Sequence, residues 1–178
     1  CFAWTSLTSK TGVGAIQKCI DIVKNNRELV AGAPSISIIK NNKPAAEKLL
    51  KQCHITSMND EELEALTGES DIVTGMKKLF DWGLKIVNIT MGKDGAWISD
   101  GKTLIKTKPP KIHVMDTTGA GDATMSGIIY GYLEELSLHE TAQIAAALSA
   151  MEIEAEGVRV GIPDEMEGLK NFMRNHQF

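Results

Sequence analysis

The chain has 178 residues and a formal net charge of −4 at neutral pH, so it lacks the basic surplus of a nucleic-acid-binding domain. Hydrophobic residues make up 43% and charged residues 24%, which is the balance of a globular domain with a buried core. No apolar run has the length of a membrane span, so we expect neither nucleic acid nor membrane as a partner.

The first residues lack the basic and then apolar pattern of a signal peptide. Three cysteines, Cys1, Cys19 and Cys53, form no C-x-x-C pair. An odd number of unpaired thiols fits a reducing compartment better than a disulfide or zinc framework. We therefore expect a cytoplasmic protein.

Apolar spacing and turn residues predict eight elements in the first half of the chain. They are a helix over 13–26, short strands over 29–31 and 36–39, a helix over 44–52 that starts at Pro44, a strand over 54–58, helices over 61–66 and 72–82, and a strand over 84–90.

The second half begins with a predicted β-hairpin, strands over 95–99 and 102–107 around Asp100-Gly101. A short apolar strand over 112–115, a helix over 123–136, a helix to residue 154 opened by the capping-box pattern Ser137-Leu-His-Glu140, and a last helix to 175 follow. Because strands alternate with helices, we predict an α/β fold with a mainly parallel sheet. We find no linker or repeat, so residues 1–178 are expected to form a single α/β domain.

The most informative segment is Asp116-Thr-Thr-Gly-Ala-Gly-Asp122, between the predicted strand and helix. The backbone N–H groups of Gly119, Ala120 and Gly121 would begin that helix, where unpaired donors and the positive end of the helix dipole favour anions. Asp122 would stand beside this anion hole and accept a proton from a substrate hydroxyl, which suggests phosphoryl transfer. The simpler alternative is a tight turn followed by an Asp that stabilises the first helical turn.

Asn59-Asp-Glu-Glu62 follows the strand over 54–58. Spacing alone favours a capping arrangement, in which Asn59 begins a helix and Glu62 reaches back to it. The functional alternative is that Asn59 and Glu62 face phosphates at the strand's carboxyl end, with Glu62 organising the water shell of a magnesium ion.

Thr90-Met-Gly92-Lys-Asp-Gly95 follows the strand over 84–90. Thr90 is a candidate donor to a phosphate, and Gly92 and Gly95 would leave room for a nucleotide. Two glycines after a strand are a weak signal by themselves. Each of the three loops follows a predicted strand, and ligands of open α/β sheets bind at the carboxyl edge, so we expect the loops to converge there.

The segment Asp116–Asp122 continues as Ala-Thr-Met and Ser126-Gly-Ile-Ile129, and this string resembles the C-terminal signature of the PfkB family of carbohydrate and nucleoside kinases. Asn59-x-x-Glu62 and Thr90-x-Gly92-x-x-Gly95 are similar to the family's second motif and nucleotide loop. One departure is Met58, which stands where the family often has Pro before the Asn. The resemblance covers roughly the C-terminal half of such a kinase, and the N-terminal part and the β-sheet lid are not found.

The resemblance implies a three-layer ribokinase-like sandwich, with a mainly parallel sheet flanked by helices and a β-hairpin. It implies ATP and Mg²⁺ as cofactors and allows K⁺, with Asp116 as a candidate ligand of a monovalent cation. It also allows a homodimer through the missing N-terminal lid. The implied nucleotide-binding residues are Asn59, Glu62, Thr90, Gly92, Gly95, Thr118, Ala147 and Gly157.

The resulting hypothesis is an ATP-dependent kinase that moves the γ-phosphoryl group to a hydroxyl of a sugar or nucleoside, with Asp122 as base and Gly119–Gly121 as anion hole. The acceptor stays open among ribose-type sugars, nucleosides and phosphorylated hexoses. The alternative is a non-catalytic nucleotide-binding or structural fragment that lacks the substrate lid.

Overall fold

The computed structural model describes residues 2–3, 10–25 and 28–176. The chain forms two compact units. The first unit comprises residues 1–90 together with 99–102, and the second comprises residues 91–98 and 103–178. None of the described helices is both long enough and apolar enough to cross a membrane.

The first unit alternates strands with helices, as predicted. Its elements are β1 (Phe2–Ala3), α1 (Lys10–Asn25), β2 (Ala31–Ala33), α2 (Ile36–Leu50), β3 (Ile55–Asn59), α3 (Asp60–Thr67), α4 (Ile72–Asp81) and β4 (Ile86–Thr90). The strands lie in sequence order and each pairs in parallel with the next.

Strands β3 and β4 form the centre of this parallel sheet. Residues 55–58 and 86–89 are all buried, which is typical of parallel strands covered on both faces. The two strands run in register from Ile55 opposite Ile86 to Asn59 opposite Thr90. The carboxyl ends of β3 and β4 therefore place Asn59 and Thr90 side by side.

Residues 36–39, predicted as a strand, form the first turn of α2 instead. The β-branched residues suggested a strand, but Ile38 and Ile39 are fully buried on the helix, so tertiary packing overrides local propensity. The helix is kinked at Asn42, whose φ of −153° and ψ of 60° are not helical. The predicted helix start at Pro44 corresponds to the restart after this kink.

The second unit begins with a short 3₁₀ turn (Gly92–Asp94) and the neighbouring strands β5 (Ala96–Ser99) and β6 (Leu104–Thr107). This confirms the hairpin predicted at Asp100-Gly101. Three helices follow, α5 (Ala120–Leu133), α6 (Leu138–Ile153) and α7 (Met166–Asn175).

The strand predicted over 112–115 does not form. Val114 and Met115 are 60% and 54% exposed, so pairing this segment as a strand would bury little of their apolar surface. The N–H groups of Met115 and Asp116 donate instead to the carbonyl of Ile153, at 2.9 and 3.3 Å. The segment that leads into α5 is therefore held by the end of α6, and the loop over 116–122 does not follow a strand.

Helices α5 and α6 pack antiparallel at very short distance because glycines line the contact. A Cβ on Gly127 would stand 2.6 Å from the Cα of Ala145, and a Cβ on Gly131 would collide with Thr141. Further along the same contact, a Cβ on Gly119 would collide with the carboxylate of Glu152. On its other side α6 contributes Ile144 and Ala147 to a core shared with Leu169 of α7.

Candidate functional site

The loop before α5 presents backbone donors at the start of that helix. Gly119 is the N-cap residue and adopts the left-handed conformation, with φ 87° and ψ −14°. The N–H of Ala120 donates to the carbonyl of Thr117 at 3.3 Å. The N–H groups of Gly119, Gly121 and Asp122 have no acceptor in the part of the chain that the structure describes.

The side of α5 next to these donors is open. Among the described residues, apart from its chain neighbours and the backbone of its own helix, a Cβ placed on Gly121 would meet no atom within 4 Å. Asp122 lies in the first turn of α5 and is exposed, and no described residue pairs with its carboxylate. Among the described residues, the turn combines unpaired N–H groups, free space and a carboxylate. Ala120, one of the three predicted donors, is paired with Thr117 instead, and the role of the turn as an anion hole with Asp122 as base stays a prediction.

Three of the predicted residues, Asp116, Thr118 and Gly157, meet in one cluster. The carboxylate of Asp116 accepts the N–H of Thr118 at 2.9 Å. This bond, the Thr118 hydroxyl and the N–H of Gly157 hold the pKa of Asp116 below its usual range. Gly157 has a φ of 97°, which suits glycine.

Glu152 belongs to the same region, although the sequence analysis did not single it out. Its side chain is 1% exposed, and its Oε1 accepts the N–H of Arg159 at 2.8 Å. Its Oε2 is buried without a hydrogen-bond partner among the described residues. The available signal was its position on the face of α6 that also carries Thr141, Ala145 and Leu148, where a charged residue is unexpected.

In the first unit, Asn59 and Glu62 form the capping box at the start of α3. Asn59 Oδ1 accepts the N–H of Glu62 at 2.7 Å, and Glu62 Oε2 accepts the N–H of Asn59 at 2.9 Å. The other oxygen of Glu62 accepts the N–H of Ile36 at 3.0 Å, so one carboxylate serves the first turns of both α3 and α2. Burial raises the pKa of Glu62, and these two backbone N–H groups oppose the rise.

The capping interpretation of Asn59 and Glu62 is therefore confirmed, and a role toward magnesium stays a prediction. Within the described residues no group of three or more His, Cys, Asp and Glu side chains could hold a metal ion. A single carboxylate that acts through water remains compatible with the ligand preference of Mg²⁺.

The predicted residues of the loop after β4 differ in their surroundings. Thr90 donates its hydroxyl to the carbonyl of Met58 at 3.4 Å. Gly92 and Gly95 both have positive φ, of 53° and 93°. A side chain on Gly95 would collide with the carbonyl of Thr107, so packing alone requires this glycine. A Cβ on Gly92 would meet no atom of the described residues within 4 Å beyond its chain neighbours.

Ala147, predicted to border the nucleotide, is fully buried in the core cluster with Ile144 and Leu169. That position accounts for a small apolar residue, and its role toward a nucleotide stays a prediction.

Comparison with known proteins identifies the family. The model of the pfkB family of carbohydrate kinases matches residues 5–165. The chain belongs to this family. The sequence prediction of a PfkB resemblance is therefore confirmed.

Among its relatives is an uncharacterized sugar kinase of Archaeoglobus fulgidus, 32% identical over 92% of this chain and 64% of the relative. An ATP-dependent 6-phosphofructokinase of Thermoanaerobacterium thermosaccharolyticum is 33% identical over 66% of the chain and 37% of the relative. Ribokinase of Haemophilus influenzae is 29% identical over 90% of the chain and 53% of the relative. The chain therefore spans between 37% and 64% of the length of these relatives.

Solved structures share the fold of this chain. A proposed ribokinase II from Escherichia coli, solved with ATP and Mg²⁺, has a TM-score of 0.88 at 23% identity, over 96% of this chain and 56% of its own. A fructokinase from Vibrio cholerae, solved with fructose, ADP and potassium, has a TM-score of 0.84 at 19% identity. The match covers 95% of this chain and 58% of the fructokinase. This pfkB-family chain thus has the ribokinase-like α/β fold that the sequence predicted.

Proposed function

We propose that the protein carrying this chain transfers the γ-phosphoryl group of ATP to a hydroxyl group of a sugar or a nucleoside. Membership of the pfkB family supports a carbohydrate kinase. The relatives include a ribokinase and phosphofructokinases, and one neighbour in fold is an aminoimidazole riboside kinase solved with its riboside and an ATP analogue. These names favour a sugar-like acceptor that carries a free hydroxyl.

The observation that carries the proposal is the start of α5. The N–H groups of Gly119, Gly121 and Asp122 have no acceptor among the described residues, and they lie at the positive end of a 14-residue helix. Such donors fit an anionic phosphate, because they stabilise negative charge without reorganising. Removal of one donor of this kind typically costs about 10²- to 10³-fold in turnover.

Asp122 is the proposed proton acceptor. Its carboxylate is exposed, lies one residue beyond Gly121 and has no partner among the described residues. A carboxylate with free lone pairs can accept the proton of an acceptor hydroxyl as the oxygen attacks phosphorus. ATP, when bound, supplies the phosphoryl group.

The remaining predicted residues would bind the nucleotide and its ions. In the first unit both oxygens of Glu62 already accept backbone N–H groups. We therefore expect Glu62 to hold water molecules of the Mg²⁺ hydration shell rather than to bind the ion directly. Thr90 offers a hydroxyl at the end of β4. In the second unit the pKa of Asp116 is lowered, and its ionised carboxylate fits a monovalent cation such as K⁺.

The test is Asp122→Asn in the full-length protein. ADP release is measured over a panel of sugars and nucleosides, and ATP affinity is measured separately by calorimetry. We expect kcat to fall by about 10²-fold or more, because general-base catalysis is removed, while ATP affinity changes little. The matched control is Asp164→Asn, an exposed acid of the same unit, which should behave like the wild type.

Near-normal kcat in Asp122→Asn would show that this residue is not the base. Wild-type protein that binds ATP and releases no ADP with any acceptor would instead support the non-catalytic alternative.

A further inference from the structure

Glu152 carries a buried carboxyl group beside the anion-binding turn, and it touches two segments of the chain. Its Oε1 accepts the N–H of Arg159, and the same oxygen fills the volume that a side chain on Gly119 would need. The carboxylate is thus wedged between the start of α5 and the loop that follows α6.

The contacts around Glu152 form a closed circuit within the second unit. From Glu152 the chain leads through Arg159 back to Gly157, whose N–H helps to lower the pKa of Asp116. Asp116 accepts the N–H of Thr118, and the next residue, Gly119, lies against Glu152. Glu152 is thus connected to the turn directly, through Gly119, and indirectly, through Arg159, Gly157 and Asp116, so we expect a shift at Glu152 to reach the turn from both sides.

The two residues after Glu152 also bind the segment that leads into the turn. The carbonyl of Ile153 accepts two N–H groups, from Met115 and Asp116. Glu154 Oε1 accepts the N–H of His113 at 3.1 Å. The last turn of α6 therefore fixes the whole segment that leads into the turn.

Stability alone does not account for a carboxylate here. Oε2 is buried without a partner among the described residues, and such an unpaired polar oxygen is expensive to bury. Arg159 is also held at a φ of 69°, which is unusual for a residue with a side chain. Unsatisfied groups and strained backbone concentrate at functional sites, because the surrounding structure must hold them there.

We propose that Glu152 is a positioning residue of the anion-binding turn. It keeps Gly119 in its left-handed conformation, and thereby aims the N–H groups of Gly121 and Asp122 and the carboxylate of Asp122. The expected effect of Glu152 on phosphate binding rests on the proposed function. Its expected effect on the conformation of the turn does not depend on that function.

The experiment compares Glu152→Ala and Glu152→Gln in this chain, by the amide NMR resonances of Gly119, Gly121 and Asp122 without nucleotide and by calorimetry with ATP and Mg²⁺. Glu152→Ala should displace these resonances and weaken ATP binding by roughly tenfold or more, since misplaced donors bind poorly. Glu152→Gln keeps the shape and the oxygen acceptor toward Arg159, so it should restore both readouts to near wild-type values.

The matched control is Glu140→Ala at the other end of α6. Glu140 also accepts a backbone N–H, from Ser137 at 2.9 Å, so its loss destabilises the same helix. It should lower the melting temperature without moving the three amide resonances or the ATP affinity. A merely structural role for Glu152 would make the two alanine variants alike when both are folded.

If Glu152→Ala fails to fold, Glu152→Asp replaces it, because the shorter side chain withdraws the carboxylate from Gly119 and keeps the charge. Unchanged turn resonances in the folded variant would overturn the proposal. Displaced resonances, together with no ATP binding and no ADP release by the full-length wild-type protein, would support the positioning role and refute the proposed function. Unchanged resonances with strong ATP binding would overturn the positioning role and support the proposed function.

Discussion

The two glycines of the turn before α5 are required for different reasons. Gly119 has a positive φ, and a side chain there would collide with Glu152. Gly121 has a helical conformation and open space around it, so neither backbone strain nor packing within the described chain explains it. We propose that the close approach of a phosphate to the backbone is the reason for this glycine.

Gly121→Ala should therefore separate binding from stability. Alanine replaces glycine in a helix with a gain of about 0.5–1 kcal/mol, so the melting temperature should stay equal or rise. The added methyl group would stand where phosphate approaches, and we expect ATP affinity to fall by roughly tenfold in calorimetry.

Gly14→Ala in α1 is the matched control, since Gly14 also lies in a helix and a Cβ there would meet no atom of the described residues within 4 Å outside its own helix. It should raise stability similarly and leave ATP affinity unchanged. Equal ATP affinity in Gly121→Ala and the wild type would mean that phosphate does not approach this residue.

At the scale of elements, the contact between α5 and α6 determines where the turn lies. Glycines at 127 and 131 let the helices approach so closely that the contact continues to Gly119 and Glu152. Helix packing and the candidate site are thus parts of one structure, and changes in the middle of the contact should reach the whole unit.

Gly127→Ala tests this packing. Its methyl group would stand 2.6 Å from the Cα of Ala145, a backbone atom that cannot move alone. Overpacking of this kind costs about 1–3 kcal/mol, whereas Gly14→Ala should be stabilising. Urea unfolding of both variants measures the difference, and a Gly127→Ala variant as stable as the wild type would show that the helices separate easily.

Local signals predicted the elements that are set by local chemistry. The capping boxes at Asn59 and Ser137 and the hairpin at Asp100-Gly101 are all present, because each depends on residues within a few positions. The strands predicted over 36–39 and 112–115 were wrong, because short apolar runs do not reveal which surface will bury them.

In the candidate site, too, local features could be predicted from the sequence and contacts between distant residues could not. The sequence pointed to the turn over 116–122 through its glycines and carboxylates, and the structure places unpaired donors there. Glu152 was missed because its contact with Gly119 joins residues 33 positions apart and depends on how α5 packs on α6. The double use of Glu62, which caps α2 as well as α3, was equally a tertiary property.

At the scale of the whole molecule, acid stability depends on buried hydrogen bonds as well as on surface charge. His54, at the start of β3, accepts the N–H of Val30 on Nδ1 at 3.0 Å, so this nitrogen is unprotonated in the fold. Burial, and then the charges of Lys85 and Lys24, lower the pKa of His54 below its ordinary value. Folding therefore favours the neutral ring.

The sign of the pH effect follows from this shift. In the unfolded chain the pKa of His54 is about 6.5, so near that pH the unfolded state binds more protons than the folded state. The contribution of His54 to stability is complete above the unfolded pKa and is lost as the pH falls through the lower folded value. The contributions of Asp71 and Glu140 are complete at neutral pH and are lost only in more acidic solution, because hydrogen bonds with Thr74 and Ser137 lower the pKa of these carboxylates.

His54→Asn isolates this effect, because the amide oxygen of Asn can accept the Val30 N–H and does not titrate. In urea unfolding between pH 7.5 and 5.0, the wild-type free energy of unfolding should fall more steeply below about pH 6.5 than that of the variant. His113, His139 and His176 are present in both proteins, so the two differ in histidine content only at position 54. Parallel curves would mean that Nδ1 of His54 does not hold the Val30 N–H, and that the start of β3 is stabilised by its backbone pairing alone.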